Sequence, residues 1–529
     1  MSSVLRIVSP VCLFITILGL SSAAKAIEPN PPEKLITGQD AVRSFVLARL
    51  QVKGRGGEPL AQRDRDAMLA FYRTSGSLIW VDESGFNGRT AAARAAFARA
   101  AEWGLDPQDY KAPAEIAPTV GNDYRGAALA AAELAMSRAA YLYASHARGG
   151  RIEPSSISES IDVTPERPDM SRVLEGLLQT VDIASYLESF HPKHPQFLAL
   201  KQKLREARAV RRNEALPIVP DGPNLTVGVR HPSVAVLRRR LNVAAAAGTQ
   251  DDLYDDALAE AVRSFQRENR LTDDGQVGPA TRNALNSVSR GADLRAILVN
   301  MERWRWLPDP LPSYHIKVNI PEFMFRIHKG DGIIHEERLI VGKPEHKTPM
   351  FIDEMEFVVF NPIWNVPASI AVKEILPLVR RNPAYLDRNN LQIFMRGHRL
   401  PLDPYGINWD AVDPDRIYIK QPPGDDNALG RVKFLFPNRH SVYMHDTPTK
   451  PLFNRSVRAY SHGCMRVRNP LRFAEILLKE QGWTMARIDA ALSRSGEYSV
   501  TLERKVPIFI TYFTPVSYTH LTLPTIYSV

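Results

Sequence analysis

Cysteine is scarce in this chain: Cys12 and Cys464 are the two among 529 residues. Cys12 lies in an apolar N-terminal stretch that reads as a removable leader, so the processed chain keeps one thiol and can form no internal disulfide. A framework of cystines is thereby excluded. A lone thiol in an oxidising compartment is a liability, so Cys464 is either packed away as a small apolar side chain or kept for its reactivity. Charge of one sign is also in short supply. The net charge of +9 comes from 67 basic and 58 acidic residues, and it drops to +7 without Arg6 and Lys25 of the leader. That mild excess admits an acidic polymer as partner. With no helix-turn-helix, zinc-finger or RNA-binding signature, nucleic acid is not expected. Past residue 26 no apolar run is long enough to span a bilayer. The sequence also has no internal repeat, no phosphate-cradling Gly-rich loop and no HExxH metal helix.

Residues 1–26 have the layout of a secretory signal, with Arg6 as the positive start, an apolar Ile7 to Leu20, and the small-x-small site Ala24-Lys25-Ala26. Pro10 and the short apolar length argue against a full membrane span, so membrane anchoring is expected only through an uncleaved leader. The chain is expected to work beyond the cytoplasmic membrane, in the periplasm or cell envelope.

A composition of 44% hydrophobic and 24% charged residues over this length fits a globular protein of three or four domains. Residues 27–60, rich in Pro and charge, are expected to form an extended lead-in. From 61 to 212 apolar residues recur at i, i+3 and i+4, as in Thr90 to Trp103 and Ala127 to Ala147, which predicts a helical domain. Pro217, Pro220, Gly222 and Pro223 mark a linker over 213–224. Residues 225–288 form a compact unit with three helical stripes: Val234, Leu237 and Leu241, then Ala261, Val262 and Phe265, then Thr281 and Leu285. From Tyr314 the period changes to two, with Ile316, Val318 and Ile320 alternating with Lys317 and Asn319. An antiparallel β domain with helical insertions is expected, one of them over Ser369 to Asn382.

The reactive side chains cluster in Tyr443-Met444-His445-Asp446 and Ser461-His462-Gly463-Cys464-Met465-Arg466. On a strand Tyr443 and His445 share one face, while Val442 and Met444 turn to the core. Gly463 permits a tight turn beside Cys464. A thiol near its ordinary pKa of about 8.5 is only a few per cent ionised at neutral pH, so a neighbouring His is needed to take the proton. His445 is the better base, because a strand position can face the turn. His462 is too close in sequence for its ring to be aimed at the sulfur. Backbone N–H groups of the turn can hold a developing oxyanion. The same residues admit zinc, through His440, His445, His462 and Cys464, but His440 and His445 stand five apart and would point to opposite faces of a strand. A Ser461 nucleophile is the weaker alternative to an available thiol.

The segment HDTP…SHGCMRV resembles the active-site signature of the L,D-transpeptidases, whose catalytic domain has the YkuD fold. MERWRWLP (301–308), WNVPASIAVKEILP (364–377) and YSHGCMRVRNP (460–470) agree with it. Residues 225–288 resemble a peptidoglycan-binding type 1 domain, although Arg238 stands where a Gln is usual and Asp251 to Asp256 replaces a Gly-containing turn. The resemblance covers roughly residues 60–514 and is to the large members of the family. It implies a multidomain α+β chain: a helical scaffold, a three-helix peptidoglycan-binding-like domain, and a mainly-β catalytic domain over 289–514 with a helical capping insertion about 366–410.

The implied substrate is the peptidoglycan stem peptide. Cys464 would attack the third residue of a tetrapeptide stem, expel D-Ala and pass the acyl group to an amine of a neighbouring stem, a 3→3 cross-link. By the same matching His445 is the base, the backbone carbonyl of Asp446 orients its ring, and the N–H groups of Gly463 and Cys464 form the oxyanion hole. Tyr443, Trp364, Ser461, His462 and Arg466 would line the cleft, with Arg466 holding a substrate carboxylate or making a structural salt bridge. Such enzymes need no metal or other cofactor and are typically acylated by carbapenems. The same chemistry with water as acceptor makes a carboxypeptidase, and with a lipoprotein Lys an anchoring enzyme. A non-catalytic peptidoglycan-binding scaffold is the alternative of another class. Residues 515–529, PVSYTHLTLPTIYSV, lack Asp, Glu, Lys and Arg and read as a non-native tail.

Overall fold

The computed structural model describes residues 38–52, 61–113, 115–116, 122–213, 217–246, 248–268, 271–289, 292–398 and 401–514. The expected leader (1–26) and the expected non-native tail (515–529) lie outside these residues. The architecture is multidomain α+β, helical towards the N-terminus and β-rich towards the C-terminus.

The expected extended lead-in is helical in part. Gln39–Gln51 (α1) buries Val42, Val46 and Leu50, an i, i+4 stripe too short to stand out in a charged segment but sufficient once a helical core receives it. That core comes from Gln62–Thr74 (α2), Gly88–Ala98 (α3), Asn122–Gly149 (α4), Met170–Gln179 (α5) and Ile183–Glu188 (α6). Pro195–Asn213 (α7) faces elsewhere. Its Phe197, Leu200 and Leu204 meet Ile297, Met301 and Trp304 of a later helix, together with Phe509 of the C-terminal sheet, so the helical and β regions share a core.

The compact unit is three helices, Pro232–Leu241 (α8), Asp256–Glu268 (α9) and Pro279–Ser289 (α10). Its centre includes Val234, Leu237, Leu258, Ala259, Val262 and Leu285. Residues 217–224 are not a free linker. Val219 is fully buried in the unit, and its N–H and C=O both bond the Asn286 side chain (2.8 and 2.7 Å). Prolines keep that strap extended, and Asn286 supplies the backbone partners that a helix would have supplied.

Most strands follow Ala292–Arg305 (α11). Tyr314–Asn319 (β2), Met324–Lys329 (β3) and Gly332–Gly342 (β4) run as an antiparallel meander, and Met350–Phe360 (β5) follows. The sheet is mixed rather than antiparallel throughout. The C-terminal strand Tyr498–Thr511 lies between β5, antiparallel, and β2, parallel. Val432–Leu435 pairs with β5, so the main ring of strands closes on itself. Parallel pairing joins strands distant in sequence and leaves no hairpin signature to read. The enclosed core includes Ile316, Val318, Phe325, Phe434, Met444 and Met465, with Phe473 and Leu477 of the helix Pro470–Leu478 packed on it.

The helical region also feeds the sheet. Ile161–Asp162 (β1) pairs in parallel with Met350 and Phe351 at the start of β5, and Val163 is buried in the core of the C-terminal sheet.

The insertion expected at about 366–410 has its own core. Trp364–Asn365 (β6), Gln392–Met395 (β7) and Ile417–Gln421 (β8) form a three-stranded sheet in the order β6-β8-β7. A helical run over 368–381 packs on it through Ile375, Leu376 and Val379. Because β8 pairs both other strands, the insertion extends to 421 rather than stopping near 410.

Candidate active site

Two short parallel strands hold the reactive residues. Met444–His445 (β10, following Val432–Leu435 as β9) pairs with Met465–Val467 (β12, following Ala459–Ser461 as β11), with Met444 opposite Met465 and His445 opposite Arg466. The Met465 N–H donates to the Tyr443 carbonyl at 3.0 Å, which sets Tyr443 beside Cys464. Met444 and Met465 are fully buried in the core. Alternation therefore turns Tyr443, His445, Cys464 and Arg466 to the other face together. The Tyr443 and His445 rings are 5.6 Å apart.

His445 is 5% exposed, and its Nδ1–H donates to the Asp446 carbonyl oxygen at 2.5 Å. A carbonyl can only accept, so this bond fixes the tautomer and leaves Nε2 as an acceptor. Burial, reinforced by the charge of Arg466, pushes the imidazole down to about 3. Burial also pushes the Cys464 thiol up to about 11, against opposing hydrogen bonds from Tyr443. At neutral pH the pair therefore rests as thiol and neutral imidazole rather than as an ion pair.

The Asp446 side chain is used locally. It accepts from the N–H of Arg431 (3.0 Å) and of Thr447 (2.7 Å), and from the Lys450 ammonium. The catalytic turn is pinned from several sides. Ser461 Oγ donates to the Cys464 carbonyl (2.5 Å) and accepts from the Gly463 N–H (3.2 Å). Thr348 Oγ1 donates to the Gly463 carbonyl (2.7 Å). Gly463 sits at φ 115, a conformation that residues with a Cβ rarely adopt.

The expected cleft residues divide. Tyr443 stands beside the thiol, and burial raises its hydroxyl above the usual range. Arg466 shares the face; no carboxylate pairs with it among the described residues, and its buried Nε has no hydrogen-bond partner. Ser461 is buried inside the turn as a brace rather than presented to the cleft. Trp364 belongs to the small sheet of the insertion, packed partly against the insertion's own core. His462 reaches the insertion, where its Nε2 meets Glu374 Oε1 at 2.6 Å.

The zinc set imagined from sequence is not assembled, since His440 bonds Asp162 (2.9 Å) instead. Among the described residues the one group with ligand atoms close enough for a cation is His346, Glu374 and His462, within 4.8 Å of one another. Sequence reasoning passed over Thr348, Glu374 and Asp162. Thr348 lies in Lys347-Thr348-Pro349, a turn-forming tripeptide after a strand, which was the available signal.

Residues 313–488 match the family described as "L,D-transpeptidase catalytic domain" (YkuD). Residues 66–204 match a "Scaffold domain", and 230–285 match the family described as "Putative peptidoglycan binding domain". In chain order these matches are to a scaffold domain, a peptidoglycan-binding domain and an L,D-transpeptidase catalytic domain. A protein of Haemophilus influenzae named "Putative L,D-transpeptidase" is 35% identical over 220 residues, which are 41% of this chain and 44% of that protein. The chain therefore spans less than half the length of that relative. Two solved structures are also similar. An L,D-transpeptidase from Mycobacterium smegmatis is 13% identical with a TM-score of 0.18, over 38% of this chain and 58% of that one. An L,D-transpeptidase from Xylanimonas cellulosilytica is 17% identical with a TM-score of 0.16, over 55% and 99%.

Proposed function

We propose that the chain is a cell-envelope L,D-transpeptidase that forms 3→3 cross-links between peptidoglycan stem peptides through a Cys464 thioester. The observation that supports it is the shared face of Tyr443, His445, Cys464 and Arg466, with His445 held by Asp446 so that Nε2 can accept a proton.

In the first half-reaction the Cys464 sulfur attacks the carbonyl of the third stem residue while His445 Nε2 takes the thiol proton. Because the thiol is held near 11, attack and proton transfer must be coupled. The N–H groups of Gly463 and Cys464 are the oxyanion donors. The Gly463 N–H rests on Ser461 at 3.2 Å, a long bond that an anion would displace. Collapse breaks the C–N bond to the terminal D-Ala, whose amine leaves with the His445 proton. In the second half-reaction the side-chain amine of another stem attacks the thioester. It gives its proton to His445, and the C–S bond breaks as the sulfur is reprotonated. Arg466, unpaired on this face, holds a stem carboxylate. The 225–288 unit docks the enzyme on glycan. The reaction as written uses no cofactor.

The test is incubation of the protein and its Cys464→Ala variant with disaccharide-tetrapeptides, followed by product masses. A cysteine-dependent dimer lacking one Ala is expected. Tripeptide alone would make water the acceptor and the enzyme an L,D-carboxypeptidase. No consumption by the intact protein would sink the reading and favour a binding scaffold.

A further inference from the structure

The turn that precedes the histidine strand is held by a residue from the helical region. Asp162 lies on β1, in register with Phe351 of β5. One carboxylate oxygen meets the His440 Nε2 at 2.9 Å and the other the Arg439 guanidinium at 2.5 Å. The Phe351 ring packs on the His440 ring, with centroids 5.2 Å apart, which closes a three-membered clamp of β1, β5 and the turn. Inside the turn Asn438 Oδ1 accepts from the N–H of His440 (3.0 Å) and Val442 (3.2 Å), and its Nδ2 donates to the carbonyls of Phe436 and Val442. Between these anchors Ser441 is forced to φ 54, a left-handed conformation that a residue with a Cβ adopts only when its surroundings impose it. That twist turns the Ser441 carbonyl towards the site, where it accepts the Cys464 thiol at 3.9 Å. Two residues later the chain reaches Tyr443.

We propose that Asp162, contributed by the helical region, is a positioning residue for the nucleophile: it holds the Asn438–Val442 turn and so sets the Ser441 carbonyl against the Cys464 thiol. Asp162 touches no reacting atom and acts through His440, Arg439 and Ser441. The helical region is then more than a tether, because it completes the catalytic site from a distance of 278 residues in sequence.

Releasing the clamp has two effects of opposite sign. A carbonyl oxygen facing the sulfur favours the thiol over the thiolate, so its withdrawal acidifies Cys464 and speeds simple alkylation. The same withdrawal frees the thiol from its fixed direction, so attack on a positioned acyl carbon slows. Alkylation needs no knowledge of the natural substrate. This inference rests on the transpeptidase reading only for its second effect.

The experiment uses the full chain and the variants Asp162→Ala, Asp162→Asn, His440→Ala and His440→Gln. The rate of Cys464 alkylation by iodoacetamide is followed against pH, acyl transfer on tetrapeptide stems is measured beside it, and circular dichroism and thermal midpoints check the fold. In Asp162→Ala and His440→Ala the alkylation midpoint should move at least half a pH unit below that of the parent, with kcat down fivefold or more and KM little changed. Asp162→Asn, which keeps one acceptor oxygen, should fall between. His440→Gln, whose amide can still donate to Asp162, should recover most of the parent behaviour. Profiles and kcat within twofold of the parent in a folded Asp162→Ala would overturn the proposal. So would a silent His440→Ala beside a defective Asp162→Ala, since Asp162 would then matter only for holding β1 on the sheet. If the alkylation shifts appear while no variant, nor the parent, acts on stem peptides, the positioning role stands and the transpeptidase reading falls.

Discussion

Thr348 Oγ1 donates to the Gly463 carbonyl at 2.7 Å and accepts from the Gly342 N–H at 2.9 Å, so one buried hydroxyl ties the end of β4 to the turn that carries Cys464. Replacing it with the isosteric Val removes both partners at once. Each buried backbone group left unpaired costs about 1–3 kcal/mol. Thr348→Val should therefore lower the urea midpoint and cut acyl transfer tenfold or more, while Thr348→Ser keeps most of both. Wild-type turnover by Thr348→Val would show that the turn holds its shape without this bond.

The resting protonation states predict a pH signature. With the thiol held at about 11 by burial, iodoacetamide alkylation should climb close to tenfold per pH unit from 7 to 10. A plateau near pH 8 would instead reveal a preformed thiolate. His445 acts on stability at the other end. Its folded pKa, about 3, lies below the unfolded value near 6.5. Between those values the unfolded chain binds the extra proton, so stability falls as pH falls, by up to about 1.4 kcal/mol per pH unit. His445→Gln should lose less stability than the parent between pH 7 and 5, as read from urea midpoints.

What could be read in the sequence was whatever is local. Tyr443 and His445 fall on one face because strand alternation is a two-residue property, and Gly463 marks its turn by itself. The helix Pro470–Leu478 begins at a proline, whose fixed φ suits a first helical turn, while the Asn469 side chain goes to Glu337 rather than to the helix end. What could not be read depends on distant partners. Asp162 reaches His440 across 278 residues, and Glu374 reaches His462 across 88. Trp364 pairs with β8, more than fifty residues on, in the insertion's sheet. The 27–60 segment reads as extended until a core elsewhere accepts Val42, Val46 and Leu50.

Gly430 offers a sharper test of how Asp446 is held. It sits at φ 60, and a Cβ there would stand 2.4 Å from the Asp446 carboxylate. Gly430→Ala must push Asp446 away from the N–H groups of Arg431 and Thr447 or distort the turn. The Asp446 carbonyl, which orients His445, would move with it. The expected outcome is a loss of about 1–3 kcal/mol, in the range of a strained backbone position, and a kcat defect larger than the defect in alkylation. Alkylation bypasses His445, so equal losses in both would place the damage elsewhere.

Arg238 decides between two explanations of the unusual peptidoglycan-binding-like unit. A charged residue where a Gln is usual would weaken glycan binding if it faced the ligand. Instead Arg238 is 3% exposed. It bonds Asp255 (2.7 Å) and the carbonyls of Leu253 (2.7 Å) and Ala244 (3.1 Å). The acidic run Asp251 to Asp256 thus supplies the counter-charge that the basic substitution requires, and the two departures from the family pattern compensate each other. A buried pair is costly to break from one side, because the remaining charge is stranded; losses of about 3–5 kcal/mol are typical. Arg238→Ala removes the bonds to Asp255, Leu253 and Ala244 together, whereas Asp255→Asn keeps an oxygen that can accept from Arg238, so Arg238→Ala should destabilise the 225–288 unit more. The double variant should be no worse than Arg238→Ala alone. Sacculus sedimentation with Asp255→Asn, folded at low temperature, should match the parent. Loss of sedimentation in that folded variant would move the pair from the unit's frame to its glycan-binding surface.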